Sequence, residues 1–298
     1  MHIPSSMLQG TICPISAFIS AVCLFLATFT VSGKNSEKPS AAKFGAVTAL
    51  IFAMQMINFP VQAGTSGHLI GGVMAAALLG IPFGILSMAL MVTIQCLVFS
   101  DGGFTVLGMN IFNMAIIGAG LGGIIYGLLS KRYSRTISLG FAAWASVVIA
   151  SVACSLELGL SGTISFSKVA GSMIGVHSLI GIPEAFLTIG VCYVFGTVSN
   201  RVSEKRSTSL ALISAGVIAT VLSPFASAYP DGLEWVAQKY HFLRESAPAF
   251  VSPLSDYSIS FFKSEILATA LAGAIGVIIT FGLSWIVART FIKKKQTV

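Results

Sequence analysis

The sequence predicts an all-α integral membrane protein, and this prediction depends on its composition and on the spacing of its charges. Of its 298 residues, 55% are hydrophobic and only 9% are charged, with a mean hydropathy of +0.90. About a quarter of the residues in a soluble domain are charged, so an ordinary water-facing surface is excluded. Such hydrophobicity also excludes a disordered chain. The net charge of +7 could suggest a nucleic-acid partner, but the placement of the basic residues argues against one.

Long stretches without Asp, Glu, Lys or Arg define the predicted spans. A helix needs about 20 apolar residues to cross the hydrocarbon core, and continuous rather than alternating apolar runs favour helices. The longest stretch, 44–100, is interrupted by turn signals at 58–60 and 80–82, so it must hold three short spans. We predict about nine transmembrane helices, near residues 11–32, 44–58, 69–80, 83–100, 106–130, 136–156, 172–199, 208–227 and 266–290.

The basic residues predict the orientation. Thirteen of the 17 Lys and Arg residues fall into four clusters, at 34–43, 131–135, 201–206 and 289–295, and nine spans place all four on one side. Basic loops favour the cytoplasmic side, so we expect the N-terminus outside and the C-terminus in the cytoplasm. The first ten residues lack the basic region of a signal peptide. We therefore expect a retained first span and Met1 as the mature N-terminus.

Two domains are expected, at 1–202 and 203–298. The first domain would hold the first seven spans, and the last two spans would flank a polar, external segment at 228–264. The boundary lies in a run of basic and hydroxyl residues that is typical of a linker. No P-loop motif occurs, so an active transporter would need a partner or an ion gradient as its source of energy.

Two of the four histidines, His2 and His68, are predicted at the outer surface. The α-amine of Met1, the amide nitrogen of His2 and its Nδ1 can close two fused chelate rings on one metal ion, and His68 could supply a fourth nitrogen. A planar four-nitrogen set favours Ni²⁺ or Cu²⁺ and accommodates Co²⁺, whereas Zn²⁺ prefers a tetrahedron. Gly64 and Gly67 would let the backbone fold closely around a small ligand. The alternative is that both histidines are merely solvated.

A second group of polar residues is a candidate for secondary or structural contacts. His177 and Glu184 lie seven residues apart on one face of a helix, and ionisable groups at membrane depth are functional candidates. They could form a second, transient metal stop, but we favour a structural contact between helices. Asn58, Thr65 and Ser66 belong to the same group, since they lie in the polar stretch that ends at His68.

Small residues four positions apart allow helices to approach closely. Most such pairs pack helices within one chain. If one of them is a docking face for a partner protein, we expect it to be the pair Ala49 and Ala53.

Three motifs together resemble the CbiM/NikM family, the substrate-capturing membrane components of cobalt and nickel energy-coupling-factor (ECF) transporters. They cover about residues 1–200 and are Met1-His2-Ile3-Pro4, then Asn58-Phe59-Pro60 with Thr65-Ser66-Gly67-His68, then Gly175-Val176-His177 with Ile180-Gly181 and Glu184. The later Pro230-Asp231-Gly232-Leu233-Glu234 is similar to the CbiN/NikN, or PDGLE, domain.

The resemblance implies a site and a set of partners. It implies that the N-terminal amine, His2 and His68 bind Ni²⁺ or Co²⁺ as transported ions, with no permanently bound cofactor, and that the protein is not an enzyme. It also implies a prokaryotic inner-membrane location, a transmembrane coupling protein and ATP-hydrolysing subunits as partners, and an appended domain that assists metal loading. The choice between nickel and cobalt stays open.

Two other classes of protein also stay open. A secondary transporter of a small organic solute would need neither a free N-terminus nor nucleotide-binding partners. An intramembrane redox protein could use His68 and His177 as haem ligands.

Overall fold

A computed structural model describes residues 2–33, 38–62, 64–201, 203–243 and 252–291. Four of the basic residues used to predict orientation lie outside this range: Lys34, Lys293, Lys294 and Lys295. Met1, a predicted metal ligand, also lies outside it. Over the described residues the protein is all-α apart from one antiparallel hairpin, β1 (Phe59–Gln62) and β2 (Thr65–Gly67). The prediction of an all-α membrane protein is confirmed.

The helices follow one another in the order that the charge-free stretches predict. They are α1 (Ile12–Ser32), α2 (Ala41–Gln55), α3 (Gly72–Leu79), α4 (Ile81–Phe99), α5 (Leu107–Ile111), α6 (Gly122–Leu129), α7 (Arg135–Leu160), α8 (Phe166–Arg201), α9 (Glu204–Val217), α10 (Gly232–Lys239) and α11 (Glu265–Phe291). A π-helical segment, Phe112–Leu121, joins α5 to α6, and a second one, Ile218–Leu222, extends α9.

Seven helices in the described part of the chain are long and apolar enough to cross a membrane: Ile12–Ser32, Ile81–Phe99, Phe104–Leu129, Arg135–Leu160, Phe166–Phe195, Glu204–Phe225 and Glu265–Thr290. Their outer faces carry large apolar side chains. On α1, Phe18, Phe25 and Phe29 are 70%, 68% and 72% exposed. Such a continuous apolar exterior is what a lipid-facing helix requires.

Two of the nine predicted spans are shorter than a membrane crossing. At 1.5 Å per residue, α2 with 15 residues and α3 with eight are about 22 and 12 Å long, against a hydrocarbon core of about 30 Å. The prediction of nine full spans therefore goes beyond what the described residues show. Between α2 and α3, residues 65–70 form a buried, non-helical segment. Irregular backbone is tolerated at membrane depth only when it is buried in protein.

The start of α3 is fixed by glycines. Gly71 has a φ of 77°, in the left-handed region that favours glycine. A Cβ on Gly72 would lie 2.3 Å from the carbonyl carbon of Gly118 in the first π-helical segment. The short α3 therefore crosses this segment at backbone contact, which ties the buried loop to the bundle.

The last two long helices cover α2. A Cβ on Gly45 would lie 3.0 Å from the Phe281 side chain of α11, and one on Gly276 would lie 2.4 Å from the ring of Phe52. Ala49 and Ala53, which we expected to be a docking face, are both 0% exposed. That expectation is wrong, because α9 and α11 of the same chain already occupy the surface of α2.

Backbone hydrogen bonds gather most of the non-helical polar segments at one end of the bundle. The N–H of Gly103 donates to the carbonyl oxygen of Ile3 at 2.8 Å, and the N–H of Ser227 donates to that of Asn58 at 2.8 Å. The N–H of Leu254 donates to the carbonyl oxygen of Val98 at 3.0 Å. The N-terminal segment, the α2–α3 loop, the α4–α5 connection and the segment before α11 therefore meet there. We call this the polar end of the molecule.

Candidate metal centre

The N-terminal segment inserts into the polar end and carries His2 with it. The backbone N–H of Ile3 donates to Asn110 Oδ1 at 2.8 Å, and Asn110 Nδ2 donates back to the Ile3 carbonyl at 3.1 Å. A Cβ on Gly103 would lie 2.2 Å from the backbone nitrogen of Ser5. The glycine therefore makes room for the segment, and the two-way hydrogen bond fixes the backbone beside His2.

The buried loop between α2 and α3 carries His68. A Cβ on Gly67 would lie 2.6 Å from Ile180 of α8, so a larger residue would push the loop away from that helix. Nδ1 of His68 lies 3.0 Å from the carbonyl oxygen of Leu69. An Nδ1–H that donates to this oxygen leaves Nε2 unprotonated, which is the state in which imidazole binds a metal.

Glu184 of α8 binds the backbone of the same loop. Its two carboxylate oxygens accept from the backbone N–H groups of Ile70 and Gly71 at 2.6 and 2.8 Å. Gln55 Nε2 donates to the Ile70 carbonyl at 2.6 Å. Backbone groups that lack helical partners are thus satisfied by side chains, and these contacts favour the structural alternative for Glu184 over a metal stop.

His2 and His68 face each other. Their ring centroids are 5.1 Å apart with 21° between the ring planes, and each residue is only 8% exposed. Two imidazoles that share one metal ion through bonds of about 2 Å hold their ring centres roughly 4 to 6 Å apart. The 5.1 Å separation of the two ring centres falls within this range.

The ring nitrogens face carboxylate and amide oxygens. His2 Nδ1 lies 3.1 Å from Asp101 Oδ1, and His2 Nε2 lies 3.2 Å from Gln95 Oε1. His68 Nε2 lies 3.8 Å from Asp231 Oδ2. The two histidines are thus each accompanied by a carboxylate, one from the α4–α5 connection and one from the start of α10.

Burial sets the charge state of the two rings. Burial lowers the pKa of His2 to about 3 and that of His68 to about 3, so both imidazoles are neutral at pH 7. Burial raises the pKa of Asp101. It also opposes ionisation of Asp231, but nearby positive charge and the hydrogen bond from the Glu234 backbone outweigh it and hold the pKa of that carboxyl at about 2.

A cavity of about 340 Å³ contains this pair of histidines. We call it the vestibule, and its polar lining includes His2, Gln55, Asn58, His68, Asp101, Asp231, Glu234, Asp256 and Tyr257. Four of these side chains are carboxylates, which attract a cation into a narrow space with low-dielectric walls.

His177 has a different setting. It is 2% exposed, its Nδ1 lies 2.8 Å from the Met173 carbonyl of its own helix, and it lines a cavity of only about 10 Å³ with His68, Asp231 and Gly232. That space holds about one water molecule at most. A haem between His68 and His177 has no room there.

The other polar candidates of the loop make contacts with the C-terminal part of the chain or remain within the core. Ser66 Oγ donates to the Tyr229 carbonyl at 2.7 Å, and the Ser66 N–H donates to Pro230 at 2.9 Å. Asn58 lines the vestibule. Thr65 is 0% exposed, and its hydroxyl has no hydrogen-bond partner among the described residues.

Sequence reasoning missed the two carboxylates beside the histidines. Asp101 did leave a signal, because it is the only charged residue between 44 and 130. Asp231 was noted only as part of a motif. Its carboxylate also caps α10, accepting from the N–H groups of Leu233 and Glu234 at 2.8 and 2.9 Å. The motif therefore both begins a helix and brings a charge to His68.

Comparisons with known proteins agree with this architecture. The family model described as the cobalt uptake substrate-specific transmembrane region, CbiM, matches residues 2–202, and that of the PDGLE domain matches residues 205–293. A protein of Archaeoglobus fulgidus with the provisional name fused nickel transport protein NikMN is 32% identical over 97% of this chain and 98% of its own length.

Two solved structures are also similar. A crystal structure described as a truncated transition metal transporter shares 32% identity and a TM-score of 0.58 over 65% of this chain and 97% of its own. Another, described as a transition metal transporter, shares 30% identity and a TM-score of 0.60 over 67% of this chain and 94% of its own. The chain is a multi-pass prokaryotic membrane protein, and it belongs to the CbiM family of cobalt-uptake substrate-specific transmembrane proteins, with a PDGLE domain in its C-terminal part.

Proposed function

We propose that the protein captures Ni²⁺ or Co²⁺ at its polar end through the Met1 amine, His2 and His68, and delivers the ion inward. In this proposal it is the substrate-specific component of an ATP-driven ECF transporter. The observation that carries the proposal is the pair of buried imidazoles with ring centres 5.1 Å apart in the vestibule. Neutral imidazole is the form that ligates a transition metal.

The position of His2 in the chain completes the proposed donor set. The Met1 amine, the His2 amide nitrogen and His2 Nδ1 would occupy three corners of a plane, and His68 Nε2 would occupy the fourth. This planar arrangement suits Ni²⁺ and can accept Co²⁺, whereas it disfavours Zn²⁺. Because the amide and the amine must lose protons to bind, affinity should increase with pH.

The two carboxylates offset the charge of the ion. A divalent cation that leaves water for a buried site needs nearby negative charge, and Asp101 and Asp231 lie within 4 Å of the histidine rings. The other acidic residues that line the vestibule, Glu234 and Asp256, would attract the hydrated ion before it loses water.

Delivery would depend on other proteins. The sequence contains no P-loop motif, so ATP hydrolysis is assigned to separate subunits that act through a transmembrane coupling protein. In this proposal the polar end faces the outside and the C-terminus lies in the cytoplasm, with the basic residues at the inner surface. The domain division at 1–202 and 203–298 belongs to the same proposal, and the second domain assists loading.

Metal titration of the purified full-length chain tests the proposal. Calorimetry and visible absorption would compare Ni²⁺, Co²⁺ and Zn²⁺, with the free Met1 amine verified by mass. We expect one Ni²⁺ per chain with a planar d–d band. His2→Ala and His68→Ala should each weaken binding by more than the 10- to 100-fold that outer contacts typically contribute.

His241→Ala is the matched control, because His241 is exposed at the end of α10 and does not line the vestibule. It should bind Ni²⁺ as the wild type does. Wild-type affinity in His2→Ala or His68→Ala would remove that residue from the proposed site. No binding by a verified wild-type chain would instead favour the solute-transporter alternative.

A further inference from the structure

The C-terminal part of the chain sends one side chain into the hydrogen bonds around His2. Tyr257 lies in the segment between α10 and α11, and its hydroxyl donates to Asp101 Oδ2 at 2.5 Å. The hydroxyl oxygen of Tyr257 also accepts from Gln95 Nε2 at 3.2 Å. Asp101 and Gln95 are the two residues that face the ring nitrogens of His2. Tyr257 therefore contacts both neighbours of a proposed ligand without contacting the ligand.

The orientation of the Gln95 amide follows from these contacts. Its Nε2 donates to Tyr257 and also to Gln55 Oε1, at 2.9 Å. Its Oε1 must therefore be the atom that faces His2 Nε2, and a carbonyl oxygen can only accept. A neutral His2 satisfies it with Nε2–H, which leaves on Nδ1 a lone pair for a metal, on the side of the ring that faces Asp101 Oδ1.

The ring of Tyr257 packs against two aromatic side chains. It stacks on Phe99 with centroids 4.6 Å apart and an 18° angle between planes, and it lies 6.1 Å from Phe52. The backbone of the segment is attached to α4 through Leu254, whose N–H donates to the Val98 carbonyl at 3.0 Å.

The backbone at this point is in a disfavoured conformation. Asp256 and Tyr257 have φ values of 55° and 53°, in the left-handed region that non-glycine residues rarely adopt. Two strained residues in succession persist only when surrounding contacts determine them, and such strain concentrates at functional sites. Here the contacts are the stacking on Phe99 and the two hydrogen bonds of the phenol.

We infer that Tyr257 is a positioning residue for metal binding by His2. Its hydroxyl donates to Asp101 and accepts from Gln95, and it thereby directs the Nδ1 lone pair of His2 toward the ion. The inference depends on the proposed function and gives the C-terminal domain a defined chemical part in it: one phenol that orients the ligand shell of the other domain.

The test compares two tyrosine-to-phenylalanine variants of the full-length chain by Ni²⁺ titration. Tyr257→Phe keeps the ring on Phe99 and removes the hydroxyl. The matched control is Tyr240→Phe, because Tyr240 Oη also reaches across to the first domain, 2.9 Å from Ser172 Oγ, but does not line the vestibule. Tyr257→Phe should raise the Kd for Ni²⁺ on the order of 10- to 100-fold. Tyr240→Phe should leave it unchanged.

The visible spectrum separates positioning from a structural role. Loss of stability alone would leave the planar d–d band of bound Ni²⁺ unchanged, whereas loss of positioning should weaken or shift it. Gln95→Met, which keeps volume and removes both hydrogen-bonding atoms, should reproduce the effect if Tyr257→Phe folds poorly. Wild-type affinity and spectrum in Tyr257→Phe would overturn the inference while the proposed function stands. Absence of Ni²⁺ binding by the wild type would overturn both.

Discussion

Two regions of the molecule contain buried histidines, and they differ in the space around them. His2 and His68 line a vestibule of about 340 Å³. His177 lines a cavity of about 10 Å³, to whose wall His68 and Asp231 also contribute. All three rings are at most 8% exposed. Burial therefore does not distinguish a candidate ligand from a structural histidine. The comparison teaches that room for an incoming ion is the more informative property.

The largest effect on Ni²⁺ binding is expected from a change to the chain ahead of His2. One extra residue before Met1 converts the α-amine into an amide and removes one proposed donor with its chelate ring. We expect Ni²⁺ binding to weaken by more than about 100-fold, because a lost ligand costs more than an altered outer contact. Calorimetry on a chain whose extension is verified by mass measures this. Undiminished binding would exclude the amine from the site.

Glu184→Ala tests whether Glu184 has a structural role in the loop that carries His68. The change leaves the buried N–H groups of Ile70 and Gly71 without their acceptor, and each unsatisfied group costs about 1–3 kcal/mol. We expect the free energy of unfolding in detergent to fall by about 2–6 kcal/mol. Glu184→Gln keeps one acceptor oxygen, so its free energy of unfolding should lie between those of Glu184→Ala and the wild type. An unchanged stability in Glu184→Ala would contradict the structural role.

Acidification should destabilise the metal-free protein through protonation of His2 and His68. The pKa of His2 and of His68 is about 3 in the folded protein, against about 6.5 in the unfolded chain. The unfolded chain therefore binds more protons between these values, and the free energy of unfolding falls as pH falls, by up to about 1.4 kcal/mol per pH unit for each histidine. The raised pKa of Asp101 acts in the opposite sense near its own range.

Thermal unfolding at stepped pH measures this dependence. His2→Ala should show a shallower loss of stability below pH 6.5 than the wild type, because one of the two contributions is gone. The same slope in both proteins would mean that the imidazole of His2 is not kept neutral by burial.

The smallest effect is expected from His177→Ala. The cavity beside His177 has no room for a hydrated ion, and its Nδ1 is occupied by the Met173 carbonyl. We therefore expect Ni²⁺ affinity within about threefold of the wild type, with a stability loss of about 1–3 kcal/mol from the lost packing and hydrogen bond. A 100-fold loss of affinity would instead place His177 on the path of the ion.

Some of this structure could be predicted because it follows from local chemistry. Uncharged stretches predict apolar helices, since charge is costly in the hydrocarbon core, and the helices lie where those stretches do. His2 follows from a chelate argument that uses only its position in the chain, and His68 follows from its predicted place at the outer surface. Their separation in the folded protein is consistent with that argument.

The remaining features depend on which parts of the chain meet. Ala49 and Ala53 show that close helix approach is allowed, but the sequence does not say that α9 and α11 are the neighbours. The short α3 follows a buried, non-helical loop. This loop can be buried because Gln55 and Glu184 satisfy the hydrogen-bonding groups of its backbone. Tyr257 reaches Asp101 across 156 residues, and no spacing rule relates residues so far apart.

The insertion of the N-terminal segment has a consequence for the order of biosynthesis. The carbonyl of Met7 accepts from Thr163 Oγ1 at 2.6 Å, a contact across 156 residues. This contact can form only after the seventh helix and the turn after it have been made, whereas the contacts of the same segment with Gly103 and Asn110 can form earlier. Asp231 and Tyr257 arrive later still. Ion binding at this site would then report that the chain through Tyr257 has been synthesised and assembled.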